Sequence, residues 1–252
     1  MPSVTRHTAR SLFLLAFAVA ALVAASACGG GALVTQYEYE EDIYLSLDGS
    51  ATIFINASIP ALVNLRGLDL KTEPNALLDR TKVRELFSSP AAHVVRTSSW
   101  RRFGRRFVQV RLSVDDITKL ASAPPFAWAT YSIDRRDGLV IYRQVLGAAA
   151  GRPVPDLKLK GHELMAVRLH LPSRVRYHNA GQGNLKRGNI LVWEQEFAAR
   201  QVGSPLEIEA RFEETSILYS TLMLFFVSGA LALGVLALII WWVVRKGKAS
   251  TS

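Results

Sequence analysis

The stretch TQYEYEEDIYLSLDGSATIFINASI, residues 35–59, decides the fold class of this chain. Apolar and aromatic residues alternate with polar ones on both sides of Asp48-Gly49. They are Tyr37, Tyr39, Ile43, Leu45 and Leu47 before it, and Ala51, Ile53, Ile55 and Ala57 after it. A period of two predicts half-buried strands, and Asp-Gly between two such runs predicts a β-hairpin. We expect Glu38, Glu40 and Asp42 to share the opposite, solvated face.

The rest of the region up to residue 215 is also rich in strand-like runs. These are AAHVVRTSSW (91–100), FVQVRLSV (107–114), FAWATYSI (126–133), LVIYRQVL (139–146), LMAVRLHL (164–171), ILVWEQEF (190–197) and PLEIEARF (205–212). Asp79–Phe87 and Asp115–Ala121 start with a helix-capping residue and are predicted as short helices. The expected fold class is therefore α+β, a β-rich antiparallel domain with a few short helices.

The N-terminus has the pattern of a secretory signal peptide. Residues 1–11 carry Arg6 and Arg10 but no acidic residue, and an apolar run follows up to residue 27. The single cysteine, Cys28, comes directly after Ala25-Ser26-Ala27. This junction resembles a lipobox and predicts that Cys28 becomes the lipidated first residue of a lipoprotein. The alternative is an ordinary A-x-A cleavage site beside an incidental thiol.

The other end of the chain predicts one transmembrane helix. Residues 217–244 contain no charged residue, and at about 1.5 Å per residue a helix of this length exceeds a hydrocarbon core of roughly 30 Å. Arg245, Lys246 and Lys248 follow directly, so the positive-inside rule predicts that residues 245–252 form a cytoplasmic tail. Residues 28–215 are then an exported domain of a single-pass cell-membrane protein, after a signal peptide of residues 1–27.

The overall charge of +9 does not indicate a nucleic-acid partner. Five of the 30 basic residues lie in the two terminal segments, which leaves 25 against 21 acidic residues in the exported domain. A near-balanced domain lacks the strongly basic composition of a nucleic-acid binder. The expected partners are instead membrane lipids, or alternatively another membrane protein.

No arrangement of residues in the sequence indicates catalysis, a metal or a cofactor. The histidines of the exported domain, His93, His162, His170 and His178, form no H-E-x-x-H pair, and no G-x-S-x-G elbow is present. An isolated histidine in a strand is usually structural or solvated. We therefore expect a protein that is not an enzyme and needs no cofactor.

The most unusual exported stretch is WRRFGRRF, residues 100–107. Arg101, Arg102, Arg105 and Arg106 surround a Phe-Gly turn, and arginine forks bind phosphate oxygens in a bidentate manner. The pattern predicts a basic hairpin tip that binds anionic lipid headgroups. The alternative is a solvated tip whose charges only prevent aggregation.

The combined layout resembles the LppM-type membrane-anchored lipoprotein domain family. The resemblance depends on the signal ending in Cys28, the hairpin at Asp48-Gly49, the segment Asn179–Trp193 with PLEIEARF after it, and the single C-terminal helix. It implies a β-rich envelope domain that binds lipids or glycolipids without enzyme activity.

These observations favour a single-pass envelope protein, a predicted lipoprotein, whose exported domain binds a membrane-associated ligand. A lipid or lipoglycan is the expected ligand. A protein-interaction module of a membrane complex is the second hypothesis, with an exposed apolar patch as its expected sign. A hydrolase is the third, and it would require converging histidine and acidic side chains.

Overall fold

A computed structural model describes residues 36–249, apart from Pro74, Phe103, residues 150–162, Gln182 and Arg187. The predicted signal peptide, Cys28 and His162 lie outside the described residues. In the described part the strands are β1 (Tyr37–Leu45), β2 (Ala51–Ser58), β3 (His93–Arg102), β4 (Arg105–Val114), β5 (Ala129–Arg136), β6 (Leu139–Leu146), β7 (Leu164–His170), β8 (Val175–His178), β9 (Leu185–Lys186), β10 (Ile190–Glu196) and β11 (Leu206–Glu213).

The strands form two sheets. The larger has the order β3-β4-β2-β1-β7-β10-β9, and the smaller has the order β5-β6-β11-β8. Among the described pairings, β1 with β7 is parallel and the others are antiparallel. The expected fold class is confirmed: the chain is a mixed α+β protein with mostly antiparallel sheets.

The predicted hairpin at Asp48-Gly49 is confirmed as β1 and β2, with Leu45 opposite Ala51. Asp48 holds the turn because its Oδ1 accepts hydrogen bonds from the Ser50 backbone N–H at 2.9 Å and from the Ser50 hydroxyl at 2.7 Å. Gly49 has a φ of 93°, which is a left-handed conformation that favours glycine. A second hairpin turns at Asp137-Gly138, where both residues have positive φ as a type I′ turn requires.

Four α-helices lie in the described region: α1 (Ile59–Arg66), α2 (Arg80–Phe87), α3 (Phe197–Gln201) and α4 (Ile217–Ala249). Helix α2 was expected from its capping residue, Asp79, whose carboxylate accepts from two backbone N–H groups. The other predicted short helix is a 3₁₀ helix over Ile117–Ser122. Helix α1 was not predicted, although Pro60 in its first turn and Gly67 just beyond its end are helix boundary signals.

One hydrophobic core joins both sheets and helix α1. Ile43, Ile55 and Val110 contribute from the larger sheet, and Tyr142 and Phe212 contribute from the smaller one. The apolar residues of α1 lie in the same core, where Leu62 and Leu65 are fully buried. Because successive side chains of a strand point to opposite faces, the residues that alternate with these core residues in the larger sheet face outward.

The C-terminal helix differs from the rest of the chain because its apolar residues are exposed. The span Ile217–Trp242 is long and apolar enough to cross a membrane, by length and composition. Its first backbone N–H donates to the Pro172 carbonyl at 3.1 Å. The expectation of one C-terminal apolar helix of membrane-spanning length is confirmed.

The expectation that Glu38 lies on a solvated face was wrong. The register between β1 and β7 shifts between Tyr37 and Tyr39, so an irregularity at Glu38 breaks the strict alternation. Glu38 is fully buried as a result. Glu40 and Asp42 do lie on the outer face, partly exposed.

Candidate ligand-binding groove

A groove of about 440 Å³ lies on the outer face of the larger sheet. Strands β1 and β7 supply most of its polar and aromatic side chains, and β9 and β10 close its other side. From β1 come Tyr37, Asp42 and Tyr44; from β7 come Arg168 and His170; from the β9–β10 side come Asn184, Lys186, Ile190, Val192 and Glu194. We call this site the outer groove.

Strand pairing explains why these residues meet. Successive side chains of a strand point to opposite faces, so the inward residues of β1 leave Asp42 and Tyr44 facing outward. The parallel register places Asp42 opposite Arg168 and Tyr44 opposite His170. The outer groove is therefore assembled from strands that are far apart in the sequence.

Tyr44 and His170 form the aromatic wall of the outer groove. Their rings stack with centroids 3.9 Å apart and planes 14° apart. The Tyr44 ring also meets Phe54 edge-on at 5.6 Å, while 44 % of the residue stays exposed. The stack holds a broad, partly apolar surface in a fixed orientation beside polar groups.

The charges of the outer groove largely satisfy one another. Arg168 contacts Glu40 at 2.7 Å through Nη2 and Asp42 at 3.5 Å through Nη1. Burial lowers the pKa of Arg168, but the hydrogen bond and charge of Glu40 and the charge of Asp42 outweigh this effect and raise it. Lys186 donates to the Gly183 carbonyl at 2.6 Å. The site thus has no large excess of either charge.

Tyr37 closes one end of the outer groove with its hydroxyl. It donates a hydrogen bond to Glu194, and its ring lies 5.1 Å from the guanidinium carbon of Arg168. Burial and the neighbouring carboxylate of Glu194 raise the pKa of Tyr37 to about 12. The hydroxyl therefore keeps its proton at neutral pH and remains a donor.

Sequence reasoning missed the outer groove. His170 was interpreted as structural or solvated, and Glu40 and Asp42 as an ordinary solvated face. The available signal was the outward row of Asp42 and Tyr44 on β1. Tyr37 was expected on the inward face, which was wrong, because the irregularity at Glu38 turns it into the outer groove. That row could not identify the site alone, because Arg168 and His170 join it only through the long-range pairing of β1 with β7.

The four arginines of the predicted hairpin tip have different surroundings. Arg101 and Arg102 end strand β3 with exposed side chains. Arg105 is 14 % exposed at its side chain and forms an ion pair with the buried carboxylate of Glu38. Arg106 is buried and donates to the backbone carbonyl of Lys71. The headgroup-binding role of the four arginines stays a prediction.

A second polar cluster is enclosed in the core. Glu41, from β1, contacts Arg66, from the end of α1, with Oε2 and Nη2 2.8 Å apart and both side chains fully buried. The Tyr39 hydroxyl donates to the same oxygen at 2.8 Å. Burial raises the pKa of Glu41 to about 8 and lowers the pKa of Arg66 to about 9. The close contact between them favours both charged forms and opposes these shifts.

Sequence reasoning also missed this interior pair. Positions 39, 43 and 45 of β1 were expected to face inward, and Glu41 occupies the position between them. An acidic residue at an inward position predicts a buried partner, and that signal was present. The identity of the partner, Arg66, depends on helix α1, which was not predicted.

The other described histidines, His93 and His178, do not join the outer groove. His178 lies in β8 with Nδ1 3.2 Å from the Ala180 carbonyl oxygen, and His93 begins β3. Among the described residues no group of three or more His, Cys, Asp or Glu side chains is placed to hold a metal ion.

Comparison with known proteins gives a distant structural neighbour of this α+β domain. No protein-family profile matches the chain, and no curated protein matches it in sequence. A solved structure similar to this chain is the folded domain of Mycobacterium tuberculosis LppM, determined by NMR. It has 13 % identity and a TM-score of 0.37, over 71 % of this chain and 92 % of the other. These values indicate a distant relationship at most.

Proposed function

We propose that this chain is a membrane-anchored envelope protein whose exported domain binds a membrane-associated ligand, a lipid or a lipoglycan, through the headgroup. The outer groove carries this proposal. The apolar helix α4 supports it, since a helix of membrane-spanning length would keep the domain near membrane ligands. In this proposal the domain binds its ligand and catalyses no reaction.

The chemistry of the outer groove suits a headgroup rather than an acyl chain. Its side chains present hydroxyl, carboxylate, guanidinium, imidazole and ammonium groups, with Ile190 and Val192 as the aliphatic part. A polyol such as a sugar both donates and accepts hydrogen bonds, and its C–H faces pack on aromatic rings. Because Arg168 is paired with Glu40 and Asp42 and the groove has no large excess of either charge, we favour the uncharged sugar part of a lipoglycan as the portion bound there.

Cosedimentation with vesicles tests this proposal. The exported domain, expressed without α4, is mixed with vesicles of phosphatidylcholine alone, with added digalactosyldiacylglycerol, or with added phosphatidylglycerol. We expect the sugar lipid to increase binding over phosphatidylcholine alone. Tyr44→Ala should weaken this gain roughly tenfold, which corresponds to about 1.4 kcal/mol, because it removes the exposed ring of the aromatic wall.

Tyr177→Ala is the matched control. Tyr177 is similarly exposed, at 47 %, but lies in β8 of the smaller sheet. We expect this variant to bind the sugar lipid like the unaltered domain. Equal loss in both tyrosine variants, or no preference for the sugar lipid over phosphatidylcholine, would contradict headgroup binding in the outer groove. Binding to a membrane protein in place of lipid would then become the favoured hypothesis.

A further inference from the structure

Two arginines and one tryptophan form a cationic cluster inside the domain. The guanidinium carbon of Arg66 lies 4.5 Å from the ring centroid of Trp128, and that of Arg200 lies 5.4 Å from it. All three residues are buried. They come from the end of α1, the segment before β5 and helix α3. We call Arg66, Trp128 and Arg200 the interior cationic cluster.

The interior cationic cluster carries more positive than negative charge. Glu41 is the carboxylate partner of Arg66. Arg200 donates instead through Nη1 to the carbonyl oxygens of Ser204, at 2.7 Å, and Leu146, at 3.3 Å, and to Oε1 of Gln195 at 3.4 Å, and no ion-pair partner is found for it within the described residues. Burial lowers the pKa of Arg200, and no neighbouring charge opposes that shift. Carbonyl oxygens and the face of the Trp128 ring replace part of the hydration that Arg200 loses, but a buried cation without a counter-ion is still unfavourable.

The cluster also contains more unpartnered hydrogen-bond donors than unpartnered acceptors, and the acceptor beside Arg66 is Oε1 of Glu41. Arg66 Nε, Trp128 Nε1, Arg200 Nε and Arg200 Nη2 are buried and have no hydrogen-bond partner in the described part of the chain. Each of these atoms only donates. Buried donors in native proteins are nearly always satisfied. A surplus of N–H donors beside an uncompensated cation is the combination that an anion satisfies.

We propose that the interior cationic cluster binds one small monovalent anion of the halide type through the N–H groups of Trp128 and Arg200. The anion accepts these hydrogen bonds, and its charge offsets the cation that Glu41 leaves uncompensated. The ion must be small, because the aromatic rings of Trp128, Tyr39 and Phe126 all lie within 5 Å of the Arg66 guanidinium carbon. This site is separate from the outer groove and does not depend on the ligand proposed there.

Thermal unfolding of the full chain in detergent tests the proposal. Sodium gluconate is replaced stepwise by sodium chloride at one ionic strength, and unfolding is followed by tryptophan fluorescence. We expect Tm to rise by several degrees between roughly 1 and 100 mM chloride, since a ligand bound only to the folded state stabilises that state by mass action. Bromide should act like chloride.

Variants decide where the anion binds. Trp128→Phe and Arg200→Gln each remove N–H donors, and each should raise the half-saturating chloride concentration at least about tenfold. Arg143→Gln removes a half-exposed arginine that pairs with Asp134 and Glu209, and it should keep the full response. If Arg200→Gln does not fold, Trp128→Phe decides alone. Equal Tm in chloride and gluconate overturns the proposal, as does an unchanged chloride response in the variants that fold.

Discussion

The buried contact between Glu41 and Arg66 shows how single residues link the parts of the domain. Glu41 belongs to the larger sheet and Arg66 to helix α1, and Arg66 also donates to the carbonyl of Pro125 in a short 3₁₀ helix, Pro124–Phe126. Neither residue reaches solvent through its side chain. A buried charge without its partner would raise the free energy of the folded state. The pair therefore favours the one packing of helix α1 against strand β1 that keeps both charges in contact.

We predict that Arg66→Met destabilises the domain by about 3–5 kcal/mol, because it leaves the Glu41 carboxyl buried without its cation. Burial raises the pKa of this carboxyl from 4.5 to about 8. Loss of the Arg66 cation should raise this pKa further, so between pH 5 and pH 8 the variant gains more stability than the unaltered domain as the pH falls. Urea unfolding at pH 5 and pH 8 should show a larger loss of stability at pH 8.

The double variant Glu41→Gln with Arg66→Met is the control for this prediction. The amide that replaces the Glu41 carboxyl does not titrate, so the additional pH dependence of Arg66→Met should disappear. A loss that is the same at pH 5 and pH 8 in the single variant would show that the packing of Arg66, and not its charge, stabilises the site.

Individual residues were predictable from the sequence when their role depended on near neighbours. Asp48, Gly49 and Asp79 act within a few positions of their own, so their turn and capping roles follow from short patterns. Glu41 and His170 act on residues brought to them by the fold. Their partners, Arg66 and Tyr44, cannot be deduced until the position of α1 and the pairing of β1 with β7 are known.

The β3–β4 hairpin carries two arginines that face inward and two that face outward. Arg105 and Arg106 point into the structure, toward Glu38 and the Lys71 carbonyl. Arg101 and Arg102 are exposed, and Trp100 stacks on Phe107 with centroids 5.8 Å apart. The sequence predicted this hairpin, but a run of similar arginines did not reveal which of them would be buried.

We predict that replacing Arg101 and Arg102 together with Gln weakens binding of the exported domain to phosphatidylglycerol vesicles at low salt. Each basic residue near an anionic surface contributes on the order of 1 kcal/mol, and salt screens this effect. Cosedimentation at low and high salt measures the loss, which should nearly vanish at high salt. Stability should change by less than about 0.5 kcal/mol, since both side chains are exposed.

Arg105→Gln provides the contrast within the same hairpin. It should destabilise the domain by roughly 3 kcal/mol, because the buried carboxylate of Glu38 loses an ion-pair partner. If the Arg101 and Arg102 variant binds vesicles as well as the unaltered domain at low salt, the tip is a solvated turn that does not bind headgroups. Trp100 and Phe107 would then be the residues to vary next.

For the molecule as a whole, the sheet order separates what local sequence can specify from what it cannot. Hairpins β1–β2, β3–β4 and β5–β6 form between neighbours in the chain, so their pairing depends on local sequence. The parallel pairing of β1 with β7 closes a loop of more than 100 residues between Leu45 and Leu164. Such long-range pairing costs loop entropy and slows folding, and the outer groove exists only after it has formed.

A prediction for the N-terminal end of the molecule is that Cys28 is lipidated. The thiol directly follows Ala25-Ser26-Ala27, the small residues of the lipobox-like junction. Intact-mass and peptide mass spectrometry of the mature chain should find a diacylglyceryl-modified Cys28 at its first position. Conversion of Cys28 to Ser should abolish this modification while α4 still retains the protein in the membrane fraction. A mature chain that begins elsewhere, or carries an unmodified Cys28, would leave the ordinary A-x-A cleavage site as the correct interpretation.

The last prediction concerns orientation in the membrane. Helix α4 is apolar over Ile217–Trp242, and the basic residues 245, 246 and 248 follow this span within the same helix. Positive residues beside a transmembrane helix stay on the cytoplasmic side, so the outer groove should face away from the cytoplasm. Protease added to spheroplasts should digest the exported domain but spare a tag placed after Ser252, and detergent lysis should expose the tag as a control. Replacing Arg245, Lys246 and Lys248 with Gln should increase the fraction of tags that protease removes. Loss of the tag from the unaltered protein in intact spheroplasts would show the opposite orientation. The outer groove would then lie on the cytoplasmic side, where an envelope lipoglycan could not reach it.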